Sequence, residues 1–261
     1  MERTNAEYVT RYYRLWHEAK DLSYFNTVVK DSDLAIGVDI VNCTDSLMAF
    51  CHRQLQELRN ELEEYIRLHP EFNSSLIPLE LLPNAPPIAQ QMAQAAVIAQ
   101  VGPMAAVAGA FAQAIGEKIS AQVKDVIVEN GGDIYMNCSK DRIIGIFAGT
   151  SKFSNKIGIK VKKLESPVGI CTSSGTVGHS LSFGTADAVV VKGMPVALAD
   201  AVATGTGNLV KSEADLMKAI DYARNIAGVS GIMVIKNDKM AVWGEMEVLP
   251  VKERRENESG K

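Results

Sequence analysis

From residue 81 to residue 116 the chain carries no charged side chain, and no other feature restricts its possible folds as sharply. Such a run has to be covered, either by lipid or by the remainder of the protein. Alanine dominates it, not leucine or isoleucine, and Gln90, Gln91, Gln94, Gln100 and Gln113 are scattered through it. Gly102-Pro103 interrupts it, because proline lacks the amide that a helix interior needs. A membrane span requires about 20 strongly apolar residues in sequence. The run therefore reads as two buried helices, at about 88–100 and 104–122, packed closely near the centre of the molecule.

A second unusual stretch, residues 166–208, crowds small and hydroxylated residues together with few charges. Its composition is not that of an ordinary core. Gly169, Gly175, Gly178 and Gly184 let backbone approach a ligand, and Thr172, Ser173, Ser174, Thr176, Ser180 and Ser182 supply hydroxyls, as a phosphate or nucleotide cradle requires. A flexible connection between two strands would have a similar composition. Within it, 197–208 reads as a short helix on which Asp200 and Thr204, four residues apart, share a face. A carboxylate beside a hydroxyl suits Mg²⁺ or Ca²⁺, although the same spacing is common on solvated helix faces. Upstream, the apolar run 126–128 ends in a sharp Gly131-Gly132-Asp133 turn, where a ligand could rest against backbone.

With 261 residues, 47% of them hydrophobic, the chain can bury a substantial core. A net charge of −4 offers no basic footprint for nucleic acid. The N-terminal residues lack the apolar core of a secretory signal, so the expected location is cytoplasmic, with no membrane partner. The four cysteines, Cys43, Cys51, Cys138 and Cys171, are dispersed and suit free thiols in a reducing compartment. Cys51 falls on a helix stripe, whereas Cys171 lies inside the hydroxyl-rich stretch, as either a small packed thiol or a nucleophile.

In chain order, residues 8–40 read as antiparallel strands separated by Lys20-Asp21 and Asp31-Ser32-Asp33. A helix capped at Thr44 or Asp45 runs to about 68, with Leu47, Cys51, Leu55, Leu58, Leu62 and Ile66 on one stripe, until Pro70 stops it. A proline-rich connection, 71–87, leads into the alanine-rich helices. Strands follow at 126–128, 134–138, 143–147, 157–161, 169–173 and 186–191, then helices at about 195–205 and 212–227. The second of these opens on Ser212-x-x-Asp215, close to a capping box. Strands 231–236 and 240–248 form a hairpin around Asn237-Asp238, and 251–261 is too polar to pack and reads as a disordered tail.

The order GPMAAVAGAFAQAIG, VIVENGGDI, CTSSG, GHS, ADAVATGTGN, over about residues 40–245, resembles the ApbE-like superfamily, best known for Mg-dependent FAD:protein FMN transferases. Those enzymes carry a glycine-alanine segment, a strand ending in Gly-Gly-Asp-Ile, an Ala-Thr-Ser-Gly strand, a His loop and an Asp-Ala-x-x-Thr helix in that order. The likeness is to a short cytoplasmic branch of the superfamily rather than to the transferases proper. It implies an α+β fold, T-fold-like, with mixed sheets packed on helices in one large domain at 1–250. A β-rich lobe at about 1–40, a helical region at 44–122 and a strand-rich half at 124–250 make up that domain.

Asp200, Thr204 and the Ala108 carbonyl become the implied Mg²⁺ ligands. Gly131, Gly132, Asp133, Thr172, Ser173, Ser174, Gly175, Thr176 and Ser180 become the implied ligand-binding set. His179 and Cys171 are the implied catalytic groups, and FAD or FMN the implied cofactor. Two departures stand out: Gly109 replaces a lysine of the transferases, and the Asp-Pro-x-Thr-Gly run after the loop histidine is missing. Three functions remain open: binding of a phosphorylated or anionic small ligand, flavin included, with a role in sulfide assimilation into homocysteine in anaerobes; FMN transfer to a protein threonine; or a non-catalytic accessory role with a protein partner. The resemblance also leaves room for a homodimer.

Overall fold

The computed structural model describes residues 19–175 and 183–251. The expected strand residues before 19, the hydroxyl and imidazole positions Thr176, His179 and Ser180, and the tail from 252 lie outside the described residues. Among the described residues, eleven strands and six α-helices form one domain of three layers.

The central layer is an eight-stranded antiparallel sheet. In sheet order it comprises β1 (Leu22–Val29), β2 (Ser32–Asp39), β3 (Val126–Asn130), β4 (Asp133–Asn137), β7 (Val168–Ser173), β8 (Ala188–Gly193), β9 (Val229–Lys236) and β10 (Lys239–Gly244). A three-stranded sheet of β11 (Glu247–Pro250), β6 (Ile157–Val161) and β5 (Arg142–Gly145) covers one face. Helices cover the other.

Both faces being covered explains why the central strands read as continuous apolar runs rather than alternating ones. In β8, Val189 and Val191 join the helix-side core, while Ala188 and Val190 join the core between the sheets. In β9, Ile232 and Val234 face the helices, and Met233 and Ile235 the small sheet. Every residue of β8 is buried, as is most of the following helix. The described part of the small-residue stretch is therefore largely core, contrary to its composition: small side chains let helix and sheet approach closely, as packed interiors require.

The helical layer begins with α1 (Asp45–Leu68), whose stripe of Leu47, Cys51, Leu55, Leu58 and Leu62 is buried as expected. Thr44 caps it by accepting the Leu47 amide at 3.2 Å. A one-turn helix, α2 (Glu71–Ser74), seats Phe72 in the core within what reads as a plain proline-rich connection. The charge-free run forms α3 (Pro87–Ala99) and α4 (Val107–Ser120), with a short 3₁₀ turn between them and a bend of 103°. Gln100 adopts a left-handed conformation at the break, and a Cβ at Gly102 would stand 1.8 Å from the Ser75 carbonyl oxygen. No helix among the described residues is long and apolar enough to cross a membrane.

α5 (Val196–Leu209) packs against α3, α4, β7 and β8 at the middle of the molecule. α6 (Leu216–Arg224) is shorter than expected, because Ser212 and Asp215 close a 3₁₀ turn ahead of it. Two other expectations are corrected. The N-terminal lobe is the edge of the main sheet, since β2 pairs with β3 from Leu34↔Asn130 to Val38↔Val126. The long final strand is two, because at Glu245 the chain leaves β10 and joins the small sheet as β11.

Candidate functional site

At one end of the main sheet, β3 turns into β4 through Gly131 and Gly132, with Asn130 paired to Asp133 across the turn. Both glycines have positive φ, 66° and 102°, which a two-residue hairpin of this twist needs and which side chains resist. The Gly132 amide donates to Glu129 Oε1 at 2.7 Å, fixing the turn from below.

The first residue of β4, Asp133, faces the helices. So does Cys171 on β7, whose neighbour Ile170 points into the core between the sheets. Strand alternation therefore puts the Thr172 side chain on the face opposite the helices. Thr172 contributes its backbone amide instead, donating to Asp133 Oδ1 at 3.2 Å. This corrects the expectation of a Thr172 hydroxyl in the site. Ser173 is buried on the helix side, and Ser174 and Gly175 continue along the strand end, where the Gly175 amide donates to the Ala186 carbonyl at 2.9 Å.

Opposite Asp133 stands Asp200, in the first half of α5 and 9% exposed. Its carboxylate accepts the Gly109 amide at 2.8 Å, and the Ala108 amide also points to it. These belong to the first turn of α4, whose own N-cap, Ala106, has no side chain able to cap it. Asp200 thus caps α4 from another helix, with the partial positive charge of the helix end in its favour. A Cβ at Gly109 would lie 2.6 Å from the Val196 carbonyl oxygen and 2.8 Å from Asp200 Cβ, so only glycine permits this contact.

The electrostatics are those of an under-compensated acid pair. Burial first, and then the charge of Asp200, push Asp133 well above the usual carboxylate range. Burial pushes Asp200 up to about 7, against the two helix amides that hold it down. The Cys171 thiol sits beside Asp133 and 3.5 Å from the Val196 carbonyl oxygen. Burial and the two carboxylates push it well above the ordinary thiol range. It is fully buried and stays a thiol, the form that donates a hydrogen bond rather than the form that attacks.

The oxygen donors here are hard ones and fit a small divalent cation: the Asp200 and Asp133 carboxylates and the half-buried Thr204 hydroxyl one turn further along α5. No group of three or more His, Cys, Asp or Glu side chains able to hold a metal occurs among the described residues. Any cation would thus complete its shell with carbonyls, water or ligand. The Ala108 carbonyl, the third expected ligand, already accepts Asn130 Nδ2 at 3.2 Å. The acid pair lines neither the cavity where the main sheet meets β6 and β11 nor the open hollow beside Lys211, Lys236 and Lys239. Asn130, Glu129 and Gln113, whose Oε1 accepts the Val196 amide at 2.7 Å, support this site and were not legible as such in the sequence. Their only signal was polarity at the end of an apolar run.

The helix-backed antiparallel sheet recurs in solved flavin transferases named ApbE. Two solved structures share it: the flavinyl transferase ApbE of Pseudomonas stutzeri, in its apo form, with a TM-score of 0.55 over 85% of this chain and 94% of that one at 12% identity, and the flavin transferase ApbE of Vibrio cholerae, with a TM-score of 0.52 over 86% and 97% at 13% identity. A family model described as AbpE bacteria matches residues 14–236. UPF0280 protein MJ1526 of Methanocaldococcus jannaschii is 43% identical over 76% of this chain and 82% of its own length. A UPF0280 protein of Methanococcus maripaludis is 45% identical over 72% and 78%. The chain belongs to this ApbE-like family, in the branch of the UPF0280 proteins.

Proposed function

We propose that the protein binds a phosphorylated, flavin-class ligand at the sheet end formed by Gly131, Gly132 and Asp133 together with Ser173 to Gly175, opposite Asp200. The observation that carries this reading is the buried pair Asp133 and Asp200. Two carboxylates driven into one low-dielectric site repel each other, and a shared cation removes that repulsion. Asp200 and Thr204, with Asp133 beside them and a carbonyl of the α4 first turn, would hold Mg²⁺. Bound there, the cation would supply positive charge to a ligand phosphate. The chain itself contributes rigid backbone at the glycine hairpin, the Thr172 amide that orients Asp133, and helix amides that orient Asp200.

A role in sulfide assimilation into homocysteine would rest on that ligand and not on Cys171, whose buried thiol is a hydrogen-bond donor to its surroundings. FMN transfer to a protein threonine, and an accessory role on a protein partner, are the alternative uses of the same sheet end.

Titrating the protein with FAD and with FMN, with and without Mg²⁺, and following flavin fluorescence tests the proposal. Binding that requires Mg²⁺ and is lost in Asp200→Asn supports it. Equal binding without Mg²⁺ and in that variant overturns the cation assignment, and the absence of binding by either flavin overturns the ligand class. Mass spectrometry of an acceptor peptide carrying threonine separates transfer from binding.

A further inference from the structure

The outer face of α3 carries no charge. Its exposed positions, Pro87, Gln90, Gln91, Gln94, Val97 and Ile98, recur at helical spacing and form one stripe, with Val97 51% and Ile98 44% exposed. The solvent face of α1 is the contrast, since Arg53, Glu57, Glu61, Glu64 and Arg67 are exposed along it. Helix faces turned to water are ordinarily charged in that way.

The apolar surface extends beyond the helix. The connection ahead of α3 begins beside that helix's far end, where a Cβ at Gly102 would stand 1.8 Å from the Ser75 carbonyl oxygen and 3.0 Å from Leu76 Cα. It finishes at Pro87, so it runs back along the helix. It leaves Leu76, Ile77 and Leu82 exposed, Ile77 at 67%. Glu80 is the only charged residue from 72 to 116. Large apolar side chains gathered on one face in this way mark an interaction surface.

The absence of charge says what covers it. Near a two-fold axis each side chain meets its own copy, so a lysine or glutamate there would face a like charge. A glutamine amide both donates and accepts, and it can pair with itself. A partner of different sequence is selected by complementary charge, and α3 offers none to match. A helix that lies on a membrane carries lysine or arginine on its polar face, and α3 has neither. We propose that two copies of this chain associate through α3 about a two-fold axis, with the helices antiparallel and Gln94, at the middle of the stripe, nearest the axis. Burial of Val97, Ile98 and the apolar connection drives the association. The interface is separate from the flavin-class site and does not depend on it.

Sedimentation velocity of the full chain between about 1 and 100 μM tests the proposal. A dimer is expected within that range. Gln94→Lys and Gln94→Glu each set like charges against one another across the axis and should weaken the dimer about tenfold or more. Mixing the two variants in equal amounts should restore it, which a misfolded chain could not do, and Asp200→Asn should leave it unchanged. The proposal is overturned by a monomer throughout the range, by a dimer that both Gln94 variants leave undiminished, or by a mixture that stays monomeric. Flotation of a monomeric chain with phosphatidylcholine vesicles would overturn it too and assign the face to lipid.

Discussion

The Asp200 carboxylate accepts the backbone amide of Gly109 at 2.8 Å, so a side chain of α5 closes the first turn of α4. Residues far apart in the sequence share one contact, and it has room for no side chain at 109.

Replacing Gly109 by alanine should therefore push α4 away from α5. The obstacles are the Val196 carbonyl oxygen and Asp200 Cβ, neither of which can rotate aside. We expect a loss of about 1–3 kcal/mol in chemical denaturation, as for other overpacked cores. A change within a few tenths would mean that the helices separate freely.

The hairpin glycines should differ in tolerance. Gly131, at φ 66°, lies where asparagine is accepted, whereas Gly132, at φ 102°, lies beyond it. Gly131→Asn should cost less than about 1 kcal/mol, and Gly132→Ala about 1–3 kcal/mol. Equal costs in urea titrations would show that the turn relaxes.

Thiol accessibility separates a packed Cys171 from a reactive one. Cys51, Cys138 and Cys171 are buried and their thiols raised by burial, Cys51 to about 11, while Cys43 is half-buried. Under native conditions near neutral pH, a thiol reagent should label Cys43 first and reach the other three only after denaturant is added. Rapid native labelling of Cys171, read by peptide mass spectrometry, would restore it as a sulfur-handling group.

Acid should weaken the fold partly through Asp21. Its carboxylate holds the buried Arg142 guanidinium at 2.7 and 3.2 Å, and Arg142 followed by Lys140 keeps its pKa well below the usual value. A depressed folded-state pKa gives stability that is complete above the unfolded value, near 4, and fades as pH falls through the folded one. Because Asp21 is about one-third exposed, screening limits the effect to about 1 kcal/mol. Asp21→Asn should lower stability at pH 7 by about that much and flatten its decline below pH 4. An unchanged acid limb in pH-dependent melting would remove Asp21 from the account.

Elements with a strong local signal were legible. The α1 stripe, the Thr44 cap, the Ser212/Asp215 capping box and the two-residue glycine turn depend on residues within a few positions of one another. The two-helix reading of the charge-free run depends equally on local facts, its glutamines and Gly102-Pro103. By contrast, the composition of 166–208 suggested exposed ligand-binding chain, yet β8 and α5 are core. Small residues serve close packing and ligand contact alike, and composition does not separate the two uses.

The sequence by itself determined where the chain turns, which helix faces are apolar and, through motif order, the family to which it belongs. It also put Asp200 and Thr204 on one helix face, because that spacing is a property of the helix alone. The tertiary structure decided that Asp133 stands against Asp200, that Thr172 offers an amide rather than a hydroxyl, and that Lys192 is buried. Each of these depends on strand alternation and on contacts between residues distant in the chain, and such contacts are fixed by how layers pack, which no local pattern encodes.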